Sequence, residues 1–252
     1  MMVQPALRMV LGLLRRVSYA VLPDLCVGCR VPLSRNVTPF FCDACWESIR
    51  PLSGPVCPRC GRPFASPTAL LYSPGHLCGP CRAKKPAYRL ARSLYAYEPP
   101  LREAIHAFKY RQNLAVGHIL ERLFVQALPP DLNVDLVIPV PLAAERLRAR
   151  EFNQSLRLAH AAAEALDRPM DYWSLRRRPG QAPQTSLPRR ARLLNLRRAF
   201  DVPIPHAIHG RCILLIDDVL TTGTTVNECA KALRKAGSGD VIVLTLARAM
   251  PH

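Results

Sequence analysis

The stretch C-I-L-L-I-D-D-V-L-T-T-G-T-T, residues 212–225, changes character twice. Four consecutive apolar residues, Ile213, Leu214, Leu215 and Ile216, run into two carboxylates, Asp217 and Asp218. A small-residue turn then leads into a helix expected to begin near Thr225. An unbroken β-branched and leucine run is what a strand needs when helices cover both its faces, so it predicts a central strand of a parallel α/β sheet. In open sheets of this kind ligands sit beyond the carboxyl ends of the strands. The turn Thr221-Thr222-Gly223-Thr224-Thr225 offers consecutive backbone N–H groups, a glycine that allows close approach, hydroxyl donors and the positive end of a helix dipole. These are the parts of a phosphate cradle. Asp217 and Asp218, just before it, are suited to accept hydrogen bonds from sugar hydroxyls or to hold the waters of a hard cation such as Mg²⁺.

The apolar run, the two acids and T-T-G-T-T together resemble the phosphoribosyl pyrophosphate (PRPP) motif of type I phosphoribosyltransferases. The resemblance implies that Asp217 and Asp218 are the catalytic acids that meet the ribose 2′- and 3′-hydroxyls of PRPP. It also implies that Thr221, Thr222, Gly223, Thr224 and Thr225 hold its 5′-phosphate. The plainer reading, a strand-turn-helix whose acids merely cap the helix, is disfavoured by the strand and helix context. Purine-salvage members carry an acid at the position of Thr221 to handle the purine ring proton. A threonine cannot act as a base at neutral pH, so a 6-oxopurine acceptor is disfavoured.

Downstream, a helix over 225–236 ends at Gly237, a natural C-cap, and a strand over 240–246 completes the sheet. Upstream, residues 134–140 (V-D-L-V-I-P-V) read as another core strand, stopped by Pro139 and Pro141, which cannot continue a central ladder. A helix-forming segment over 142–166 follows, with Arg146, Arg148 and Arg150 ahead of Phe152-Asn153-Gln154. By the same resemblance the loop after this strand binds pyrophosphate, and three arginines there suit such an anion. Earlier come a strand over 92–97, a helix over 101–110 with Leu101, Ile105 and Phe108 on one face, and an amphipathic helix over 114–128. Lys109, at the end of the first of these helices, either reaches a phosphate or is solvated.

The chain has 10 cysteines. Eight form four Cys-x-x-Cys pairs, Cys26/Cys29, Cys42/Cys45, Cys57/Cys60 and Cys78/Cys81, in a segment rich in proline and turn residues. The two-residue gap lets two thiolates reach one tetrahedral ion, and four pairs supply two Cys₄ zinc sites. Gly61, after Cys60, fits the tight turn of such a knuckle. Consecutive pairing, as in a double zinc ribbon, is preferred; a cross-braced arrangement would exchange the second and third pairs. Sites with four protein ligands are structural rather than catalytic. A thioredoxin-type redox reading lacks its βαβ context, and an iron–sulfur cluster is less expected. Cys212 and Cys229 fall singly on a predicted strand and helix, as small buried hydrophobes. Together the cysteines indicate a reducing compartment.

Formal charge is +17, from 35 Lys plus Arg against 18 Asp plus Glu. Such an imbalance predicts attraction to polyanions, nucleic acid first, with anionic small substrates, acidic lipids and plain compositional bias as competitors. Eight arginines and no acid lie between 176 and 200. Pro179, Gly180, Pro183 and Pro188 prevent a continuous helix there, so a mobile basic loop over the cleft is expected, with Arg189, Arg190 and Arg192 as nucleic-acid contacts. Tyr172, Trp173 and Phe200 are nearby for base stacking, although Phe200 reads more readily as core. At the N-terminus, Arg8, Arg15 and Arg16 interrupt the apolar run over 3–22, leaving pieces too short to span a membrane. The spacing of Leu7, Val10, Leu11, Leu14, Val17 and Val21 suits an amphipathic helix packed on the protein, in preference to one lying on a membrane surface.

I-P-V-P-L followed by R-x-R-x-R-E-F-N-Q, then Gln184, Leu187, Arg192, Asn195 and Ala199-Phe200, resembles the ComF family of competence proteins, which also carry an N-terminal paired-cysteine module. Glu151 departs from that pattern, which usually has Gly before Phe-Asn-Gln. The resemblance implies an N-terminal helix (1–25), a double zinc ribbon (26–83) and an α/β phosphoribosyltransferase-like domain (88–250) with a central parallel sheet flanked by helices. It further implies two structural zinc ions, magnesium with PRPP, and a cytoplasmic place, peripheral at the inner membrane. The implied partners are single-stranded DNA, the inner-membrane DNA channel and a competence helicase. Two functions follow: handling of incoming single-stranded DNA, or Mg²⁺-dependent transfer of 5-phosphoribose to a nitrogenous acceptor.

Overall fold

The computed structural model describes residues 24–33, 38–111, 113–150, 152–178 and 199–250. Three short helices, α1 (Asp43–Glu47), α2 (Thr68–Tyr72) and α3 (Gly79–Ala83), belong to the cysteine-rich segment. They are followed by β1 (Leu90–Ala96), α4 (Leu101–Tyr110), α5 (Leu114–Gln126), β2 (Leu136–Pro139), α6 (Ala144–Arg150) and α7 (Gln154–Leu166). The small strands β3 (Arg176–Arg177) and β4 (Phe200–Asp201) pair antiparallel. A 3₁₀ turn (Pro205–Ala207), β5 (Ile213–Leu220), α8 (Thr224–Lys235) and β6 (Val241–Arg248) complete the chain.

The central sheet has four strands in the order β1-β6-β5-β2, all parallel. Its residues alternate between two cores. Leu214 and Ile216 of β5, with Ile242 and Leu244 of β6, face α4, α5 and α7 through Ile105, Phe108, Leu120, Phe124 and Leu158. Ile213 and Leu215, with Val241 and Val243, face Val226, Cys229, Ala230 and Leu233 of α8. Burial on both faces explains why the strand carries no polar residue before Asp217. The second core also contains Cys57, Cys60, Cys78, Cys81 and Tyr88, so part of the cysteine module is packed into the sheet domain.

Several boundaries differ from the sequence reading. Strand β5 does not stop at Ile216 but continues through both acids to Leu220, because β6 supplies partners that far: Asp217 pairs with Thr245 and Val219 with Ala247. The segment 142–166 is two helices rather than one, separated where Asn153 caps α7 by accepting from the N–H of Ser155 (3.1 Å). Pro139 ends β2 as expected, and this edge is covered: the N–H of Val137 donates to the carbonyl of Pro169 and its carbonyl accepts from the N–H of Asp171 (both 2.9 Å). Helix α8 begins at Thr224 and β6 extends to Arg248.

Two glycines set how closely the cysteine module docks. A Cβ on Gly28 would lie 2.4 Å from the Cβ of Pro100, and one on Gly61 would lie 2.6 Å from the carbonyl oxygen of Ala91 in β1. Gly61 also has φ +69, which L side chains rarely adopt. No described helix is long and apolar enough to cross a membrane.

Candidate functional site

The carboxyl ends of β5 and α4 and the first turn of α7 meet around the two acids. Asp217 Oδ1 accepts from the hydroxyl of Ser155 (2.8 Å) and from the backbone N–H of Asp218 (3.0 Å). Asp218 is paired with Lys109 at 2.7 Å, with both side chains largely shielded from solvent. Of the two sequence readings of Lys109, the solvated one is therefore overturned: the lysine is held over the acid pair. Burial and the charge of Asp218 push the carboxyl of Asp217 up to about 7, against the opposing pull of the Ser155 hydroxyl and Lys109. The site thus keeps one firmly paired carboxylate next to one that titrates near neutrality.

The residues 152–155 build this corner. Phe152 packs on Phe108, one residue before Lys109, with ring centroids 5.0 Å apart. Asn153 caps α7 and donates from Nδ2 to the carbonyl of Val140 (3.1 Å), tying the loop after β2 to the same helix end. Ser155 then presents its hydroxyl to Asp217. Sequence reasoning did not single out Ser155; its signal was a hydroxyl in the first turn of a helix opened by Phe-Asn-Gln. Ser155→Ala should raise the titration midpoint of the Asp217 carboxyl by roughly one unit, because the hydrogen bond favours the ionised form. Ser155→Thr should restore it. Carboxyl carbon NMR across pH 5–9 reads the shift directly, and an unmoved midpoint would show that the bond has no electrostatic role.

Beyond the acids, Gly223 adopts φ 76 and starts α8, and the hydroxyls of Thr222 and Thr224 are 2.9 Å apart. Thr221 and Thr222 are exposed, while Gly223, Thr224 and Thr225 are half-buried. Arg146, Arg148 and Arg150 all lie on α6, beyond the end of β2, with Arg148 exposed. Arg189, Arg190, Arg192, Gln184, Leu187, Asn195 and Glu151 lie outside the described residues. Phe200 is core, whereas Tyr172 and Trp173 are exposed, their rings 4.6 Å apart. Cys229 is fully buried and its thiol is pushed well up by desolvation, which suits an inert packing role; Cys212 is half-buried just ahead of β5.

The eight paired cysteines form two clusters, Cys26, Cys29, Cys42, Cys45 and Cys57, Cys60, Cys78, Cys81, with the sulfurs of each within 4.8 Å of one another. This is the consecutive pairing. Sulfurs of Cys29 and Cys42, and of Cys60 and Cys78, are 3.6 Å apart. A tetrahedral ion with Zn–S bonds of about 2.3 Å needs edges of about 3.8 Å, so the donor set and its spacing fit zinc. Each knuckle also supplies N–H to sulfur bonds, from Cys42 to Cys26 and from Cys78 to Cys57 (both 3.4 Å). The first cluster includes the exposed Cys29, whereas all four ligands of the second are buried.

Comparison with known proteins finds both kinds of domain in the chain. Residues 17–82 match the double zinc ribbon domain and residues 153–251 the phosphoribosyl transferase domain. The DNA utilization protein YhgH of Salmonella typhimurium is 32% identical over 234 residues, spanning 90% of this chain and 98% of that protein. Competence protein F of Haemophilus influenzae is 30% identical over 233 residues (89% and 96%), and competence protein ComFC of Bacillus subtilis 30% over 244 residues (89% and 95%). Among solved structures, orotate phosphoribosyltransferase from Aeropyrum pernix matches 60% of this chain and 66% of its own, with 19% identity and a TM-score of 0.35. Relatives that run nearly end to end, two of them named for competence, lead to one assignment: the chain belongs to the ComF family, a phosphoribosyltransferase fold joined to a double zinc ribbon.

Proposed function

We propose that this protein handles incoming single-stranded DNA on the cytoplasmic side of the inner membrane, and that its sheet domain binds PRPP with Mg²⁺. The observation that carries the PRPP reading is the acid pair in the second half of β5, held by Ser155 and Lys109 and followed two residues later by the T-T-G-T-T turn. Asp217 and Asp218 orient the ribose through its hydroxyls. The turn 221–225 holds the 5′-phosphate, while Arg146, Arg148 and Arg150 on α6 attract the pyrophosphate group. Mg²⁺, when bound, neutralises pyrophosphate charge and polarises its oxygens. The carboxylates of Asp217 and Asp218 are the side chains suited to its water shell.

DNA handling is supported by the charge of +17, by relatives named for DNA utilization and competence, and by one surface feature. Tyr172 and Trp173 are exposed on a turn fixed by Asp171, whose carboxylate accepts from the N–H groups of Trp173 (2.7 Å) and Ser174 (2.9 Å). The guanidinium of Arg176 lies 5.8 Å from the Trp173 ring centroid. A rigid aromatic pair beside arginines is a stacking platform for unpaired bases. The membrane channel and a competence helicase are the partners this role requires.

Affinity for an oligothymidylate should fall steeply with salt. Arg189, Arg190 and Arg192 changed to alanine should flatten the log–log slope by about 2, at roughly 0.7 per lost phosphate contact on a single strand. Trp173→Ala should weaken binding by about 1–3 kcal/mol at any one salt concentration. Fluorescence anisotropy from 50 to 300 mM salt measures both, and salt-independent binding would sink the reading. Calorimetric titration of PRPP with Mg²⁺, with and without the oligonucleotide, tests the other half. A PRPP affinity that changes when DNA is present would join the two sites by linkage.

A second reading, transfer of 5-phosphoribose to a nitrogenous acceptor with release of pyrophosphate, draws on Asp217. A carboxyl held near neutrality is suited to take an acceptor proton. Pyrophosphate release in the presence of candidate bases tests it.

A further inference from the structure

A cavity of about 290 Å³ lies between the second cysteine cluster and the flank of the T-T-G-T-T turn. That is near the lower end of small-molecule sites. It does not reach Asp217 or Asp218. Its wall on α8 is Thr224, Asn227 and Glu228, which share one side of a helix at spacings of three and four. The cavity therefore runs beside the first turn of α8, whereas the cradle for a 5′-phosphate lies on the helix axis, where the free N–H groups point. The opposite wall is Arg62, Lys84, Lys85 and Arg248.

Among the described residues no carboxylate pairs with Arg62, Lys84, Lys85 or Arg248. Arg248 is only 4% exposed; its Nη1 donates to the carbonyl of Cys60 (2.8 Å), but its Nε is buried without a hydrogen-bond partner. Arg62 likewise has a buried Nε with no partner. Both Nε atoms are shut off from solvent, so it is the rest of each guanidinium that lines the cavity. Glu228, the one carboxylate in the lining among the described residues, is paired with Lys231. The neighbouring zinc site, with one divalent ion and four thiolates, carries two net negative charges. Arg62, Lys84, Lys85 and Arg248 outnumber that charge, so this wall of the cavity is net positive.

We propose that this cavity is a second phosphate site that takes a terminal phosphate, held by Arg62, Arg248, Lys84 and Lys85. Asn227 supplies a neutral polar contact. The site does not depend on the PRPP reading, although Thr222, Gly223 and Thr224 of that turn form part of its wall. A terminal phosphate reaches the protein either as a small phosphorylated metabolite or as the 5′ end of a DNA strand, and the chemistry at the site is the same for both.

The test uses the full chain with its zinc, and the variant Arg62→Gln/Lys84→Gln/Lys85→Gln, which touches no cysteine and leaves Arg248 in place. Zinc content and melting temperature verify that it is folded. Inorganic phosphate titrated calorimetrically should bind the wild type, bind the variant about tenfold more weakly, and remain bound when one equivalent of PRPP with Mg²⁺ is added. A 5′-phosphorylated oligothymidylate that outcompetes its 5′-hydroxyl counterpart on the wild type, but not on the variant, identifies the DNA end as the source. Equal binding of the two strands, with phosphate still lost in the variant, identifies a small phosphorylated ligand. The proposal is overturned if phosphate does not bind, if the variant binds it as well as the wild type, or if PRPP displaces it one for one. Should PRPP itself fail to bind, the comparison of variant and wild type still decides.

Discussion

Cys57→Ala/Cys60→Ala is expected to abolish cooperative folding, whereas Cys26→Ala/Cys29→Ala should leave a folded protein that melts roughly 5–10 °C lower, a loss of about 2–3 kcal/mol. Both variants lose the same ligands from the same kind of site, so the asymmetry must come from what each cluster supports. All four sulfurs of the second cluster are buried and belong to the same core as Leu215, Val243 and Val226. The first cluster has an exposed Cys29 and half-buried Cys42 and Cys45. A structural zinc site contributes about 10–16 kcal/mol of apparent binding energy at neutral pH, comparable with the entire 5–15 kcal/mol stability of a typical domain.

Electrostatics sharpens the difference. The guanidinium of Arg248 is buried against the second cluster, and that of Arg92 donates to the carbonyls of Pro58 (3.1 Å) and Ala91 (2.9 Å). Both cations lie beside a site whose thiolates make it net negative. Removing that charge leaves the buried Arg248 uncompensated, at a cost of about 3–5 kcal/mol when one partner of such a pair is deleted, and the half-buried Arg92 adds to it. Metal analysis should read about two zinc ions in the wild type and about one in each variant. Thermal unfolding then separates them, and equal melting temperatures would show that the two clusters, the first of which packs through Val27, Phe41 and Ile49 on the opposite core, support the fold alike.

Local chemistry was legible in the sequence wherever a few adjacent residues carried it. The cysteine spacing implied two tetrahedral sites, and the hairpin at each knuckle, with Cys57 N–H bonded to Arg62 and Gly61 N–H to Cys57, folds each pair onto the next. The run 213–216 announced a strand covered on both faces. Its true end did not show, because strand length is set by the partner β6 and not by the charge of Asp217 and Asp218. Lys109 had two readings because its partner, Asp218, is remote in sequence and meets it only when α4 is packed on the sheet by Phe108 and Phe152. Arg248 and Tyr88, at the foot of the second cysteine cluster, carried no motif at all; they matter only through the burial that the docked ribbon imposes.

At Asp217, ligand binding and protein stability are expected to move in opposite directions. On the proposed reading, the ionised acid pair accepts from the ribose hydroxyls of PRPP. Replacing both by asparagine removes two charge-assisted bonds of about 1.5–3 kcal/mol each, so affinity should fall by about 10²-fold or more. Because the Asp217 carboxyl titrates at about 7, well above the ordinary carboxylate range, the wild type should lose PRPP affinity close to tenfold per pH unit below that point. The double variant should show no such slope. Stability runs the other way. A carboxyl raised on folding contributes stability that is fully present below the unfolded pKa, near 4, and is lost as pH rises through about 7. The burden of holding this charge therefore grows between pH 4 and 7 and is complete above it. Asp217→Asn keeps an oxygen to accept from Ser155 and from the N–H of Asp218, yet carries no charge to desolvate. It should melt above the wild type at pH 8, by roughly 2–4 °C for each kcal/mol released, and match it near pH 4. A variant that binds PRPP poorly and is also less stable at pH 8 would mean that Asp217 is a structural acid. A gain in stability together with a loss of binding is what a site strained for its ligand produces.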